Sequence, residues 1–495
     1  MESLPEMLYR AANTREADRR AIERLKVGGG ELMERAGAAA FRLAREHFPR
    51  AHRWAVVCGP GNNGGDGYVL ARLARAAGLE AETPIVAQAP TPKGDAAAAR
   101  ERWLAAGGSE RQLSAAALAN ADLIIDGMFG TGLERPLQGA WLDAVRAINA
   151  GGRPVVALDL PSGLHADTGR VLGAAVRAAV TVTFIGLKAG LFTGEGRTRA
   201  GVIRFDDLSV APSVFEGLRP AARRLTIDNL RGLLAPRMRH AHKGDAGRVL
   251  IVGGQPGMPG AARLAGEAAY RAGAGLVTVA THPVHAEVIG STCPELITAG
   301  MNNPGELEPL LERASVVALG PGLGQSAWAQ ELFDMVVHCQ RPLVVDADAL
   351  NLLARYPKTR PDWILTPHPG EAARLLGSTV PDIQADRFAA VHAIRARYGG
   401  VCVLKGSGTL VAGEGELPVW LCDRGNPGLA SGGTGDVLTG VIAALRAQDL
   451  APTDAARLGV WAHAAAGDVA ARAGERGLMA SDLLAPIRAI LQQVV

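Results

Sequence analysis

The stretch Gly425–Gly440, GNPGLASGGTGDVLTG, decides how the second half of this chain is read. Glycines and small residues lead to one carboxylate, Asp436, and an apolar helical pattern follows at once through Val437, Leu438, Val441, Ile442 and Leu445. A Gly-rich turn that opens a helix leaves several backbone N–H groups unpaired and pointing one way, which makes a site for phosphate or another oxyanion. The positive end of the helix favours an ionised acid, so Asp436 is expected to be a carboxylate at neutral pH. A carboxylate beside a cradled phosphate can take the proton of a hydroxyl that attacks phosphorus. Alone, GGTGD is equally a tight turn at a helix start. Its companions decide between the two.

At 495 residues the chain exceeds one ordinary core, which predicts two domains. With 48% apolar and 20% charged residues and a net charge of +3, the composition is that of a globular protein and calls for neither nucleic acid nor an anionic membrane. Cys58, Cys293, Cys339, Cys402 and Cys422 form no C-x-x-C, so the thiols are expected to be buried and reduced. The charged N-terminal stretch contains no apolar run of signal-peptide or membrane-spanning length, and a cytoplasmic location is expected.

In the first half, helical spacing runs from about Thr14 to His47 with a break at Gly28, Gly29 and Gly30. The apolar strand Trp54–Cys58 then leads into GPGNNGGDG (Gly59–Gly67) and a helix over Tyr68–Ala77. Strand, Gly-rich loop and helix begin a doubly wound α/β unit. The loop is not a Walker loop, because no G-K-[ST] is present. It offers Asn62, Asn63 and Asp66, whose amides and carboxylate can give oxygen ligands to a monovalent cation and donors to a phosphate. A strand over Leu123–Asp126 opens onto GMFGTGLERPLQG, and another over Pro154–Asp159 ends in LPSGL. In a parallel sheet such loops share the carboxyl edge, so Asn63, Asp126, Asp159 and Ser162 are predicted to converge.

Taken together, GNNGGDG, GTGLERPLQG, DLPSGL and the early YRAANTREADRRAIE resemble the NAD(P)H-hydrate epimerase family, the YjeF N-terminal type, over residues 1 to about 215. The resemblance implies a Rossmann-like three-layer fold and interconversion of the R and S forms of hydrated NADH and NADPH. It also implies bound potassium. Carried over, Asn62, Asn63, Gly64, Gly65 and Asp66, with Gly130, Thr131, Gly132, Leu133, Glu134, Arg135 and Pro136, would bind the hydrate. Asn63, Asp126 and Ser162 would hold K+, and Asp159 would contact the nicotinamide ring as acid/base. Met128-Phe129 stands where smaller aliphatics are commoner in the family, a departure expected to affect packing.

Strands over Ala179–Phe184 and Val202–Phe205 complete the first sheet, and Ala211–Arg224, with Pro at both ends of its apolar part and no sustained period, reads as a linker. The boundary is set near residue 220, giving domains 1–220 and 221–495. Strands over Arg248–Val252, Leu276–Ala280, Ser315–Leu319, Leu343–Asp346, Asp362–Thr366 and Val401–Leu404 alternate with helices, a mainly parallel pattern. PHPGE puts His368 and Glu371 at a helix start, where Glu371 either holds Mg2+ on phosphate oxygens or simply favours the helix dipole. KGSGT (Lys405, Gly406, Ser407, Gly408, Thr409) is either a phosphate-binding turn, with Lys405 as a point charge, or a hairpin turn with an exposed lysine.

HKGDAGRVLIVGG, RAGAGLVTV, GPGLG, VDADAL, TPHPGE, KGSGT and GGTGDVLTG resemble the ADP-dependent NAD(P)H-hydrate dehydratase family over roughly residues 225–495. That implies a ribokinase-like fold, with ADP as co-substrate on Lys405–Thr409 and Gly435, and the S-hydrate on Ala261, Gly324, His368 and Asp436. The expected whole is two doubly wound three-layer α/β domains, Rossmann-like then ribokinase-like. Its expected partners are the small-molecule hydrates of NADH and NADPH, and it is expected to self-associate as a homo-oligomer. The alternative is a kinase of a small vitamin-precursor hydroxyl with an N-terminal nucleotide-binding regulatory domain. HPGE in place of the N-x-x-E of such kinases counts against it.

Overall fold

The computed structural model describes residues 4–24, 27–415 and 418–495. The chain divides into two compact units, Met1–Arg223 and Arg224–Val495.

The first unit contains β1 (Met7–Tyr9), β2 (Arg53–Cys58), β3 (Glu80–Ile85), β4 (Glu110–Gln112), β5 (Leu123–Gly127), β6 (Val155–Leu158), β7 (Val180–Phe184), β8 (Leu187–Lys188) and β9 (Val202–Asp206), with β10 (Ala222–Arg224) at its end. Seven strands form a wholly parallel sheet in the order β4-β3-β2-β5-β6-β7-β9. The order reverses between β2 and β5, the switch point at which open α/β sheets bind ligands. Successive residues of β2 face opposite cores: Trp54, Val56 and Cys58 join one, Ala55 and Val57 the other. Burial on both faces is why these strands read as unbroken apolar runs rather than alternating ones.

The helix after β2 spans Asn62–Ala76 and so begins inside the predicted loop. Close packing is the reason. A Cβ on Gly59 would lie 1.8 Å from the Met128 carbonyl oxygen, and one on Gly64 would lie 1.9 Å from that of Gly59. The glycines let the helix start press onto the strand ends, leaving Asn62, Asn63 and Asp66 in its first turns. The predicted linker is also structured in part. Pro212–Phe215 forms a 3-10 turn, Val214 is buried, and Phe215 stacks on Tyr9 with ring centroids 4.3 Å apart. Ala222 pairs with Leu8 in β1.

The second unit contains β11 (Arg248–Val252), β12 (Leu276–Thr281), β13 (Ile297–Gly300), β14 (Val316–Leu319), β15 (Leu343–Val345), β16 (Trp363–Leu365), β17 (Val401–Leu404), β18 (Thr409–Ala412) and β19 (Val419–Cys422). Their order is β13-β12-β11-β14-β15-β16-β17-β18-β19. The sheet is parallel as far as β17, and β18 and β19 then add antiparallel. The helix Thr434–Ala447 lies against the helix Pro259–Arg271, where Gly440 allows close approach: a Cβ there would meet the Ala265 carbonyl oxygen at 2.0 Å. Among the described residues, no helix is long and apolar enough to cross a membrane.

Candidate active sites

In the first unit the carboxyl ends of β2, β5, β6 and β7 surround a cavity of about 450 Å³ whose lining includes Asp18, Asn63, Asp66, Gly130, Asp159 and Lys188. Asp159 follows β6 with φ at 64°, a conformation that strains a non-glycine residue and marks a position held by its surroundings. Lys188, 3% exposed on its side chain, donates to Asp159 Oδ1 and also to Thr183 Oγ1 at 3.2 Å and the Phe184 carbonyl oxygen at 2.9 Å. Thr183 Oγ1 donates to Asp159 Oδ1 at 3.2 Å. Burial, with the nearby Asp159 charge adding to it, drives the Asp66 carboxyl well above the usual carboxylate range. Asp18 is raised to about 6 by burial.

Of the predicted cation ligands, Asp126 and Ser162 meet. Ser162 donates to Asp126 from Oγ at 2.6 Å and from its backbone N–H at 2.8 Å, and the Phe129 N–H donates to Ser162 Oγ at 2.9 Å. Burial lifts Asp126 to about 6 despite these donors. Asn63 is buried with both amide atoms unpartnered, and its Cγ lies 3.6 Å from where a Gly130 Cβ would stand, as Asp159 Oδ2 lies 3.0 Å from it. An orphaned buried amide beside carboxylates suits an oxygen-ligated monovalent cation.

In the second unit KGSGT is the turn between β17 and β18, a hairpin as the plainer reading expected, but its lysine is not exposed. Lys405 Nζ donates to Asp346 Oδ1 at 2.7 Å and stands 3.8 Å from Glu371 Oε2. Asp346, 1% exposed, accepts from Thr439 Oγ1 at 2.7 Å on its other oxygen. Burial opposes the lysine's charge, yet Asp346 and Glu371 hold its pKa above the ordinary value. Lys405 Nζ is also 3.3 Å from where a Gly435 Cβ would stand, so the hairpin turn and the start of the helix Thr434–Ala447 share one centre.

Asp436 lies in that helix's first turn. The helix end does not hold its pKa low: burial, then the charge of Asp346, raises it to about 7. Desolvation of the acid outweighs the helix end here. Glu371 sits at the helix start, as one of the two readings offered for it expected. It closes a capping box with His368, accepting from the His368 N–H at 2.8 Å, and burial lifts it to about 7 beside Lys405. Ala261 and Gly324 lie near the start of the helix Pro259–Arg271, where the Ala261 Cβ is 3.1 Å from a Cβ placed on Gly322 and the Gly324 N–H donates to Asp348 Oδ2 at 2.8 Å.

Sequence reasoning missed Lys188 as a site residue. It also missed Asp346, although the motif containing it was noticed, and His463, whose half-buried ring meets the Thr434 carbonyl oxygen at 2.8 Å and is pushed down to about 4 by desolvation. The glycine loops flagged the sites, but nothing local tells which distant side chain completes them.

Comparison with known proteins agrees with this geometry. The NAD(P)H-hydrate dehydratase family pattern matches residues 249–489, and that of the YjeF-related protein N-terminus matches residues 29–190. The bifunctional NAD(P)H-hydrate repair enzyme Nnr of Coxiella burnetii is 44% identical over 98% of this chain and 99% of its own, and that of Escherichia coli 45% identical over 100% and 95%. Among solved structures, the ADP/ATP-dependent NAD(P)H-hydrate dehydratase of Bacillus subtilis, co-crystallised with ATP and Mg2+, is 32% identical with a TM-score of 0.50, covering 55% of this chain and 98% of that one. A ribokinase-like superfamily protein of Enterococcus faecalis is 29% identical with a TM-score of 0.52, covering 56% and 97%. The chain belongs to the family of bifunctional NAD(P)H-hydrate repair enzymes.

Proposed function

We propose that the chain repairs hydrated NADH and NADPH in two steps, with residues 1–220 interconverting the R and S hydrates and residues 221–495 dehydrating the S form at the expense of ADP. The observation that carries this reading is Asp436. It is a carboxyl poised near neutrality at a helix start, within the field of a half-buried lysine that a glycine-rich turn supplies. A base is most effective when its pKa lies near the working pH. Asp436 takes the proton of the ring hydroxyl, and the oxygen attacks the terminal phosphorus of ADP as the bond to AMP breaks. The ring carbon–oxygen bond then breaks with phosphate leaving. The ring nitrogen's lone pair assists, and loss of a proton from the adjacent carbon restores the double bond. Lys405, Gly406, Ser407, Gly408, Thr409 and Gly435 are assigned to ADP, and Ala261, Gly324, His368 and Asp436 to the hydrate. Glu371, a buried carboxyl facing Lys405, fits a share in Mg2+, which would neutralise phosphate charge when bound.

In the first unit Asp159 is the acid/base and Lys188 its charge partner. Asn62 to Asp66 and Gly130 to Pro136 are assigned to the hydrate. The orphaned Asn63 amide, with Asp126 and Ser162, fits K+, which would supply a fixed positive charge at the cavity wall. The five free cysteines are consistent with cytoplasmic chemistry.

The test is incubation with hydrated NADH and ADP. Return of the NADH absorbance, with AMP and phosphate formed, supports repair. ADP consumed with a phosphorylated small molecule and no NADH would instead support the kinase alternative.

A further inference from the structure

Arg387 belongs to none of the motifs. It opens the helix Arg387–Tyr398 and is completely buried, at 0% exposure. A guanidinium taken out of water needs close acceptors to be tolerated. This one finds them in the turn after β17. Its Nη2 donates to the carbonyl oxygens of Leu404 at 3.2 Å, Lys405 at 3.1 Å and Gly408 at 3.4 Å, and its Nη1 donates to Gln384 Oε1 at 3.0 Å. Burial lowers its pKa to about 10, which leaves it charged at neutral pH.

The geometry matters for an anion. In a trans peptide the carbonyl of one residue and the N–H of the next point opposite ways. With the Lys405 carbonyl drawn onto the guanidinium, the Gly406 N–H faces away from it. The turn sits directly on the arginine: a Cβ on Gly406 would lie 3.0 Å from Arg387 Nη1. Gly406 and Gly408 have φ of 132° and 70°, values that glycine alone adopts without strain. A turn left to itself presents carbonyl oxygens as readily as amides, and exposed carbonyls repel phosphate.

We propose that Arg387 is the positioning residue of the nucleotide turn, a buried cation that gathers the carbonyls of Leu404, Lys405 and Gly408 inward so that the turn shows its positive face to the phosphates of a nucleoside diphosphate. The inference rests on the reading that Lys405–Thr409 hold ADP. Arg387 touches no substrate and acts only through the backbone it orders.

The full chain carries the test, because epimerisation in the same sample reports that the protein is intact. Arg387→Ala leaves a guanidinium-shaped space under the turn, and Arg387→Lys keeps the charge but loses the planar fork. For Arg387→Ala the KM for ADP in dehydration is expected to rise by about tenfold or more, with the KM for the hydrate and the epimerase rate little changed. Millimolar guanidinium chloride should restore much of the ADP affinity, whereas methylammonium chloride should not. Arg387→Lys should fall between Arg387→Ala and the natural protein, and it replaces Arg387→Ala as the test if the latter loses the second unit's thermal transition. An unchanged ADP KM in the folded variants would overturn the proposal. So would a joint loss of ADP and hydrate affinity without guanidinium rescue, which would mark a general packing role. Lys405→Met separates the two readings. If it too leaves the ADP KM unchanged, the assignment of ADP to this turn fails; if only the Arg387 variants are silent, the positioning role alone fails.

Discussion

The two sites differ in which carboxylate their lysine holds. In the first unit Lys188 lies on Asp159 itself, the residue assigned to the chemistry. In the second, Lys405 lies on Asp346, and Asp436 is left beside the pair, raised to about 7. One arrangement clamps the reactive group with a charge; the other builds a charged platform and leaves the reactive group free to titrate. The difference suits the reactions proposed. A proton shuttled out and back at one carbon gains from a base held in one place by a fixed charge. A base that must deprotonate a hydroxyl attacking a phosphoryl group gains from desolvation, which raises its basicity, and from a lysine committed to phosphate rather than to itself.

The largest effect expected from this contrast is at Asp436. Asp436→Asn keeps the shape and removes the base, so dehydration should slow by on the order of 10²–10⁴-fold. Steady-state rates with ADP and the S-hydrate check this, and near-normal turnover would require another base.

Next comes the clamp. Lys188→Met removes one partner of a buried ion pair and leaves Asp159 with the Thr183 hydroxyl alone, which should cost the first unit about 3–5 kcal/mol of stability. Thermal or urea unfolding of the full chain reads the loss as an earlier first transition. Asp346 keeps its Thr439 donor when Lys405 is removed, as Asp159 keeps that of Thr183, so Lys405→Met should destabilise the second unit comparably and also damage ADP use.

Much of this was legible in the sequence, and the legible part has a physical character. Val56, Ile124, Val156, Val182, Ile251 and Val317 belong to strands buried on both faces, so their apolar runs stand out. The edge strand β4, Glu110-Arg111-Gln112, and its neighbour β3, with Glu80, Glu82 and Pro84, carry no such run and do not stand out. The glycine loops located both sites, since only glycine allows approaches such as that of Gly59 to Met128. The partners stayed hidden for lack of any local sign. Lys188 is 29 residues from Asp159, Asp346 is 59 from Lys405 and 93 from Thr439. The upward shift of Asp436 was not legible, because desolvation depends on tertiary packing, whereas the helix end is visible in the sequence.

A smaller effect separates the sites by pH. With Asp436 acting as a base from about 7, dehydration should rise as pH climbs through that value and fall about tenfold for each unit below it. The same shift acts oppositely on stability. The fold favours the neutral acid, so its contribution is complete below the unfolded value of 3.8 and is lost as pH rises through about 7. A dehydration profile flat from pH 5 to 8 would contradict the assignment.

The mildest expected effect is that of the cation. Exchanging K+ for a large organic cation should slow epimerisation several-fold and leave dehydration by the second unit alone, because the Asn63 amide is the group left without a partner. Equal epimerase rates in potassium-free buffer would remove the cation from the account.

The claim that each unit carries its own base is tested most directly by chiral separation of the two hydrates over time with Asp159→Asn and Asp436→Asn. The two residues sit against separate cores, so their effects should not couple. Asp436→Asn is predicted to interconvert R and S while recovering almost no NADH. Asp159→Asn should consume the S form with ADP and then stall on the R form, apart from slow spontaneous epimerisation. Loss of both activities in either variant, with the protein still folded, would contradict the account.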